Sequence, residues 1–175
     1  MTILGAVLAG GRSSRFGSDK ALAAIGSETL LDRAVVGLAG RCDAVIVVGR
    51  AEAPAPVVAD RPAPGMGPLG GLAGALHHAA ATGHEAVLSV AVDSLDLADD
   101  LVAALSPPPA YVASQPVIGL WPVSAAPALD ALLAAEGSHS MRAFADAIGA
   151  RAVQLRRDPA NINTPADLEE RNHGL

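Results

Sequence analysis

The apolar run from Ile3 to Ala9 passes without a polar step into Gly10-Gly11, and that junction constrains the fold more than any other stretch. The run reads as a buried strand. Two adjacent glycines let the backbone turn sharply and approach a ligand, because no Cβ stands in the way. Successive backbone N–H groups in such a turn form an anion-binding concavity. Arg12, Arg15 and Lys20 then place three positive charges within nine residues. Lys20 is the one lysine among twelve basic residues, the other eleven being arginine. Lysine offers a phosphate a movable point charge where arginine imposes a fixed fork. A solvated surface loop is the plain alternative, and Arg12 reads as readily that way.

Downstream, short β-like runs alternate with longer helix-like ones. Leu30, Leu31, Ala34, Val35 and Leu38 stand at helical spacing within Glu28 to Leu38, with Gly40 as the stop. Ala44 to Val48 is a continuous apolar, β-branched run, as in a strand covered on both faces. Pro56 to Ala59 reads as a further short strand that ends at Asp60. The link Gly49 to Ala55 is about half the usual length of a parallel crossover and must turn irregularly. Pro62 to Leu69, with three prolines and two glycines, reads as a loop, and Gly70 to Ala81 as a helix stopped by Gly83. Ala86 to Val92 is a strand ending at Asp93. Asp99 to Leu105 is a short helix cut off by Pro107-Pro108-Pro109.

Ala110 to Ser114 and Val117 to Trp121 read as antiparallel strands turned at Gln115-Pro116. Helices at about Ser124 to Glu136 and Ser140 to Ile148 follow. A strand over Ala152 to Leu155 precedes a last helix over Thr164 to Arg171, with Thr164 as N-cap and Pro165 at its first position. The expectation is a single three-layer α/β/α domain over residues 1–175, Rossmann-like, with a mostly parallel, mixed sheet of about seven strands.

Composition narrows the partners. At 51% hydrophobic but only 2% aromatic, the core must be filled by Ala, Val and Leu. A net charge of -6 argues against a nucleic-acid surface, while leaving room for a local pocket for a phosphorylated ligand. Cys42 stands alone and reads as a small, half-buried filler in a reducing, cytoplasmic setting. No apolar run approaches the ~20 residues of a membrane helix, and no signal peptide is evident.

Ligands of open α/β sheets bind outside the carboxyl ends of the strands. The Gly-rich loop, Asp60 and Asp93 each follow a strand, so they share one edge. The spacing fits neither a P-loop nor a Gly-x-Gly-x-x-Gly fingerprint.

Three blocks instead resemble the molybdenum cofactor guanylyltransferase family. They are Leu8-Ala9-Gly10-Gly11 with Arg15-Phe16-Gly17 and Asp19-Lys20, then Gly67-Pro68-Leu69-Gly70-Gly71-Leu72 preceded by Asp60, then Asn161-Ile162-Asn163-Thr164-Pro165-Ala166-Asp167-Leu168. Phe16 stands where that family has Met. The first block is shared with many nucleotidyltransferases; the three in order are specific. The resemblance implies a nucleotide-diphospho-sugar transferase-like fold and transfer of GMP from GTP to the terminal phosphate of molybdopterin, with release of pyrophosphate. It implies that Leu8, Ala9, Gly10 and Gly11 hold the nucleotide through backbone groups. Lys20 would neutralise phosphate, Asp60 would read guanine and Asp93 would bind Mg²⁺. Arg15 joins Lys20 and Asp93 as catalytic, and Arg15, Gly17, Gly71, Asn161 and Asn163 face the pterin. Molybdoenzymes or cofactor-delivery proteins are the implied partners beyond the substrates, with no nucleic acid and no membrane.

Two departures stand out. The family writes Cys-Asp-x-Pro around the metal carboxylate, and this chain has Val92-Asp93-Ser94-Leu95, leaving Asp96 as another candidate ligand. Gly49 stands where the family often has Asn. A cytidylyltransferase for the same acceptor, another small sugar-phosphate nucleotidyltransferase and a catalytically silent homologue remain open; Gly11 and Asp60 favour guanine. His77-His78 point apart on a helix and do not chelate together. Asp99-Asp100 suit a helix N-terminus. Trp121 and Tyr111 read as packing or, for Trp121, as a pterin stack. Asn161 and Asn163 alternatively serve as turn and cap residues.

Overall fold

Both faces of the first apolar run are covered. The computed structural model describes residues 1–10 and 19–174, and in it the run forms β1 (Ile3–Leu8). Ile3 and Val7 pack on one side, Leu4 and Ala6 on the other. A 3-10 turn at Lys20–Leu22 and a hairpin, β2 (Ala24–Ile25) and β3 (Glu28–Thr29), lead into α1 (Leu30–Ala39). Next come β4 (Ala44–Val48), β5 (Val57–Val58), α2 (Gly67–Ala81), β6 (Ala86–Ala91), β7 (Ser94–Leu95) and α3 (Leu101–Leu105). β8 (Ala110–Val112), β9 (Gln115–Pro122), α4 (Ala126–Ala134), α5 (Met141–Ala147), β10 (Arg151–Val153), β11 (Ala160–Asn161) and α6 (Pro165–His173) complete the chain.

Seven strands form one sheet in the order β10-β8-β9-β6-β1-β4-β5. β6, β1, β4 and β5 are mutually parallel, and β9 runs antiparallel to both its neighbours. The mostly parallel, mixed sheet is the one the sequence predicts. α2, α4 and α5 cover one face through Leu72, Leu76, Leu129, Leu133 and Phe144. α1 and α3 cover the other through Leu31, Leu38, Leu101 and Leu105. Small residues allow close contact: a Cβ on Gly74 would strike the carbonyl oxygen of Ala59, so α2 lies flush against the chain just beyond β5. No helix among the described residues is long and apolar enough to cross a membrane.

Trp121 is fully buried, stacked on Tyr111 at 6.4 Å between ring centroids and tilted against Phe144 at 5.3 Å. Its Nε1–H donates to Ser89 Oγ at 2.9 Å, and that hydroxyl donates to the Val117 carbonyl at 2.7 Å. Trp121 therefore belongs to the core and is not placed to stack a pterin. Cys42 is a half-buried filler beside Gly5, and burial pushes its thiol up to about 12.

Several boundaries differ from the sequence expectation for identifiable reasons. Glu28-Thr29 are taken up by the hairpin, and Thr29 caps α1: its Oγ1 accepts from Asp32 N at 3.0 Å while Asp32 Oδ2 accepts from Thr29 N at 3.2 Å. Gly67 to Leu69 belong to α2 and not to the loop, because a proline in the first turn gives up an N–H that has no helical partner anyway. The β8–β9 turn is Ala113-Ser114, with Gln115-Pro116 inside β9; a register shift at Tyr111/Val112 accommodates the offset. α3 starts only at Leu101, and Asp99 pairs with Arg41 at 3.3 Å instead of serving the helix end. The 124–136 stretch divides into a 3-10 turn and α4, and β10 begins one residue earlier than the expected strand. Thr164 does cap α6, with Pro165 at its start.

The two short ladders were not anticipated. β7 pairs with β11, and together with the β2–β3 hairpin they enclose a satellite core of Ile25, Leu30, Leu95 and Ile162. Asn172 on α6 fixes this unit, donating to the Ala24 carbonyl at 3.1 Å and accepting from Gly26 N at 2.9 Å. The C-terminal segment is thereby brought back to the strand-end edge of the sheet.

Candidate functional site

β6, β1, β4 and β5 are neighbours and run the same way, so their carboxyl ends line one edge. Asp93 follows β6, Gly10 follows β1, Gly49-Arg50 follow β4 and Asp60 follows β5. Leu8 and Ala9 are half-buried and Gly10 is exposed. Ala9 N–H donates to the Val48 carbonyl at 2.9 Å, which carries the β1–β4 pairing past the strand end. Gly10 and Gly49 then meet backbone to backbone. A Cβ on Gly49 would lie 2.6 Å from Gly10 N, and Gly49 has φ +88. The glycine in place of the family's Asn is thus required by this contact.

Asp60 is half-buried, and its Oδ1 lies 3.8 Å from where a Cβ on Gly71 would sit. Burial raises its carboxyl above the ordinary value, partly offset by a hydrogen bond from the Gly65 N–H. Gly71, expected on the pterin side, is buried against Leu8 and Val48 beside Asp60, where a Cβ would lie 3.2 Å from the Leu8 side chain.

Lys20 Nζ donates to Asp93 Oδ2 at 2.6 Å, each side chain 16% exposed. Asp19 caps the 3-10 turn that carries Lys20, accepting from Ala21 N at 3.3 Å. Its carboxylate is also gripped by Arg50, with Nη1 donating to Oδ1 at 3.0 Å and Nη2 to Oδ2 at 2.7 Å. That forked contact holds the Asp19 carboxyl below its ordinary value and raises the Arg50 guanidinium.

The turn after Asp93 lacks proline, and Ser94 takes over its stiffening role. Ser94 is 3% exposed and its Oγ accepts from Ala91 N at 3.3 Å. Ser94 and Leu95 pair with Asn161 and Ala160, which ties the turn to the C-terminal segment. Asp96 has φ 54 and its carboxylate is paired with Arg171 of α6, so it is committed away from Lys20 and Asp93.

Asn161 and Asn163 are both exposed. Asp167 Oδ2 accepts from Asn163 N at 2.9 Å and Thr164 N at 2.8 Å. These backbone bonds, and to a smaller degree the charge of Lys20, hold the Asp167 carboxyl low. The pairing of Asn161 with Ser94, the residue after Asp93, puts the C-terminal block on the same side as the Lys20–Asp93 pair. Gly11, Arg12, Arg15 and Gly17 lie outside the described residues.

Among the described residues no three His, Cys, Asp or Glu side chains converge as a metal site. His77 pairs instead with Asp130 of α4 at 2.8 Å. Of the carboxylates at this edge, Asp19 is held by Arg50 and Asp60 lies beyond β5, which leaves Asp93, beside Lys20, as the hard oxygen donor for a metal. That donor set fits Mg²⁺, which takes one or two carboxylates and completes its shell from phosphate and water. Sequence reasoning missed Arg50, Ser94 and Asp167. Arg50 had a usable signal, since it follows a strand on the same edge as Asp60 and Asp93. Ser94 had none.

The chain matches the family model of the MobA-like NTP transferase domain over residues 5–153. Molybdenum cofactor guanylyltransferase of Acidiphilium cryptum (strain JF-5) is 40% identical over 183 residues, spanning 96% of this chain and 93% of that protein. The protein of the same name from Rhodobacter capsulatus is 38% identical, spanning 96% and 94%. Among solved structures, molybdopterin-guanine dinucleotide biosynthesis protein A from Archaeoglobus fulgidus superposes with a TM-score of 0.72 at 19% identity, with 97% of each chain covered. 2-C-methyl-D-erythritol 4-phosphate cytidylyltransferase from Thermus thermophilus superposes at 0.65 with 17% identity, covering 99% of this chain and 97% of that one, so the fold itself is shared more widely than the sequence blocks.

Proposed function

The chain belongs to the MobA-like NTP transferase family, and on that premise we propose that residues 1–175 act as one nucleotidyltransferase domain moving GMP from GTP to the terminal phosphate of molybdopterin. An oxygen of that phosphate forms a bond to the α-phosphorus of GTP, the α–β bridging bond breaks, and pyrophosphate leaves. The observation that carries the proposal is the meeting of Gly10, Asp60 and the Lys20–Asp93 pair at four adjacent parallel strand ends.

Positioning and charge neutralisation supply most of the catalysis in such a transfer. Leu8, Ala9, Gly10 and Gly11 present backbone groups to the nucleotide. Asp60, ionised, accepts from guanine N1–H and the exocyclic amine. Lys20 exchanges the Asp93 carboxylate for phosphate oxygens and follows charge onto the leaving pyrophosphate. Asp93, released, would hold Mg²⁺, which when bound neutralises charge on the triphosphate. Arg15 and Gly17 at the loop, with Asn161 and Asn163 across the β7–β11 ladder, serve the acceptor side. Gly71, buried beside Asp60, would support the acceptor side only by letting α2 pack closely on Leu8. The product would pass to molybdoenzymes or to cofactor-delivery proteins.

The test is a panel of GTP, CTP, ATP and UTP with molybdopterin as acceptor and Mg²⁺ present, scoring pyrophosphate. GTP is expected to be used well ahead of the others. Preference for CTP would convert the assignment to a cytidylyltransferase, and no turnover with any nucleotide would make the chain a silent homologue.

A further inference from the structure

Two consecutive residues at the end of β4, Gly49 and Arg50, meet Gly10 and Asp19. Gly49 abuts Gly10, just beyond β1, so closely that neither residue has room for a Cβ: one on Gly10 would lie 2.8 Å from Gly49 Cα. Arg50 grips Asp19, just before Lys20, through two parallel hydrogen bonds of 3.0 and 2.7 Å. The left-handed φ of +88 at Gly49 belongs to the turn that carries the chain from one contact to the other. Asp19 in turn caps the 3-10 turn whose first residue is Lys20, and Lys20 reaches Asp93 at 2.6 Å. The line of contact is continuous: Arg50, Asp19, the capped turn, Lys20, Asp93.

We propose that Arg50 clamps Asp19 and is thereby a positioning residue for Lys20. The proposal rests on the guanylyl-transfer reading for its catalytic consequence, though not for the clamp. A guanidinium fork fixes the plane of the carboxylate it meets, which a lysine ammonium does not. The Arg50 side chain is only 18% exposed, and its Nε is buried with no partner among the described residues. A donor left unsatisfied is costly, so the two forked bonds must outweigh it for the side chain to stay in this place. The carboxylate end is the freer one, with the Asp19 side chain 46% exposed. The fork therefore decides which way Asp19 faces, and through its cap where the Lys20 turn begins.

Amide exchange and nucleotide affinity test the two halves separately. In Arg50→Met and in Asp19→Asn the Ala21, Leu22 and Ala23 amides are expected to exchange about tenfold faster than in wild type. The double variant Arg50→Met/Asp19→Asn should exchange no faster than either single one, because both remove the same contact. In Arg50→Met the dissociation constant for GTP should rise by about tenfold, and Arg50→Lys, which keeps the charge without the fork, should leave it raised. Unchanged amide protection in Arg50→Met overturns the clamp. Lost protection with unchanged GTP affinity overturns the positioning role, as does full recovery of affinity in Arg50→Lys. Because protection is read without ligand, it judges the clamp on its own. If wild type prefers CTP or binds no nucleotide while Arg50→Met loses protection, the clamp stands and the guanylyl reading falls.

Discussion

Lys20 and Asp93 occupy each other before any substrate arrives, and both are largely withdrawn from solvent. Under the proposed roles, the Nζ would have to move from this carboxylate to phosphate before Asp93 could hold a metal. Asp93→Asn is expected to lower kcat for guanylyl transfer by about 100-fold or more while leaving the fold intact, measured as pyrophosphate release beside circular dichroism. Full activity in that variant would remove Asp93 from the metal role. Asp60 carries a pH signature. Burial raises its folded pKa above the ordinary 3.8, so its charge weighs against folding at neutral pH and the cost is relieved on acidification. The same shift means that its ability to accept from guanine fails at a higher pH than an ordinary Asp would allow. The dissociation constant for GTP should climb as pH falls through that raised pKa. In Asp60→Asn it should be weak and flat over the same range. Gly49 is as legible in chemistry as in space: Gly49→Asn meets the Gly10 backbone and a left-handed φ, and should cost about 1–3 kcal/mol of stability by chemical denaturation.

Among the elements, α1 and α2 are set by different means. The Thr29–Asp32 capping box fixes where α1 begins, so Thr29→Ala should cost about 1 kcal/mol in denaturant unfolding. α2 depends instead on having no side chain at Gly74. Gly74→Ala drives a methyl against the Ala59 carbonyl and should cost about 1–3 kcal/mol despite the better helix propensity of alanine. A stabilised Gly74→Ala would show that α2 can lift from β5 without penalty. β1 and β4 were readable because each is an unbroken apolar run, and the mixed direction followed from a short connection before β9. Pro116 misled the turn assignment because proline is read as a breaker, although a strand with a register shift tolerates it. The two-residue ladders β2–β3 and β7–β11 have too few residues to show any period. In the site, Asp60 and Asp93 were legible from the strand-end rule. The Asp19–Arg50 fork joins residues that are 31 apart, and no local pattern announces a pairing at that distance.

At the scale of the molecule, ligand binding and folding are coupled. GTP with Mg²⁺ at a hundredfold excess over its dissociation constant should add about 2.7 kcal/mol, a rise of roughly 5–10 °C in Tm at this chain length. CTP, ATP and UTP should add distinctly less, and equal shifts from all four would remove the guanine assignment. The fold supplies its own means of keeping such measurements apart. Trp121 is the only tryptophan, sealed between Tyr111 and Phe144 and hydrogen-bonded to Ser89. It pairs across the sheet with Val87, four positions before β6 ends at Ala91, and so about 13 Å back from the carboxyl edge along the strand. Its emission is a built-in gauge of core integrity that should change little when nucleotide binds at the far edge, so optical unfolding curves taken with and without substrate can be compared once the nucleotide's own absorbance is corrected for.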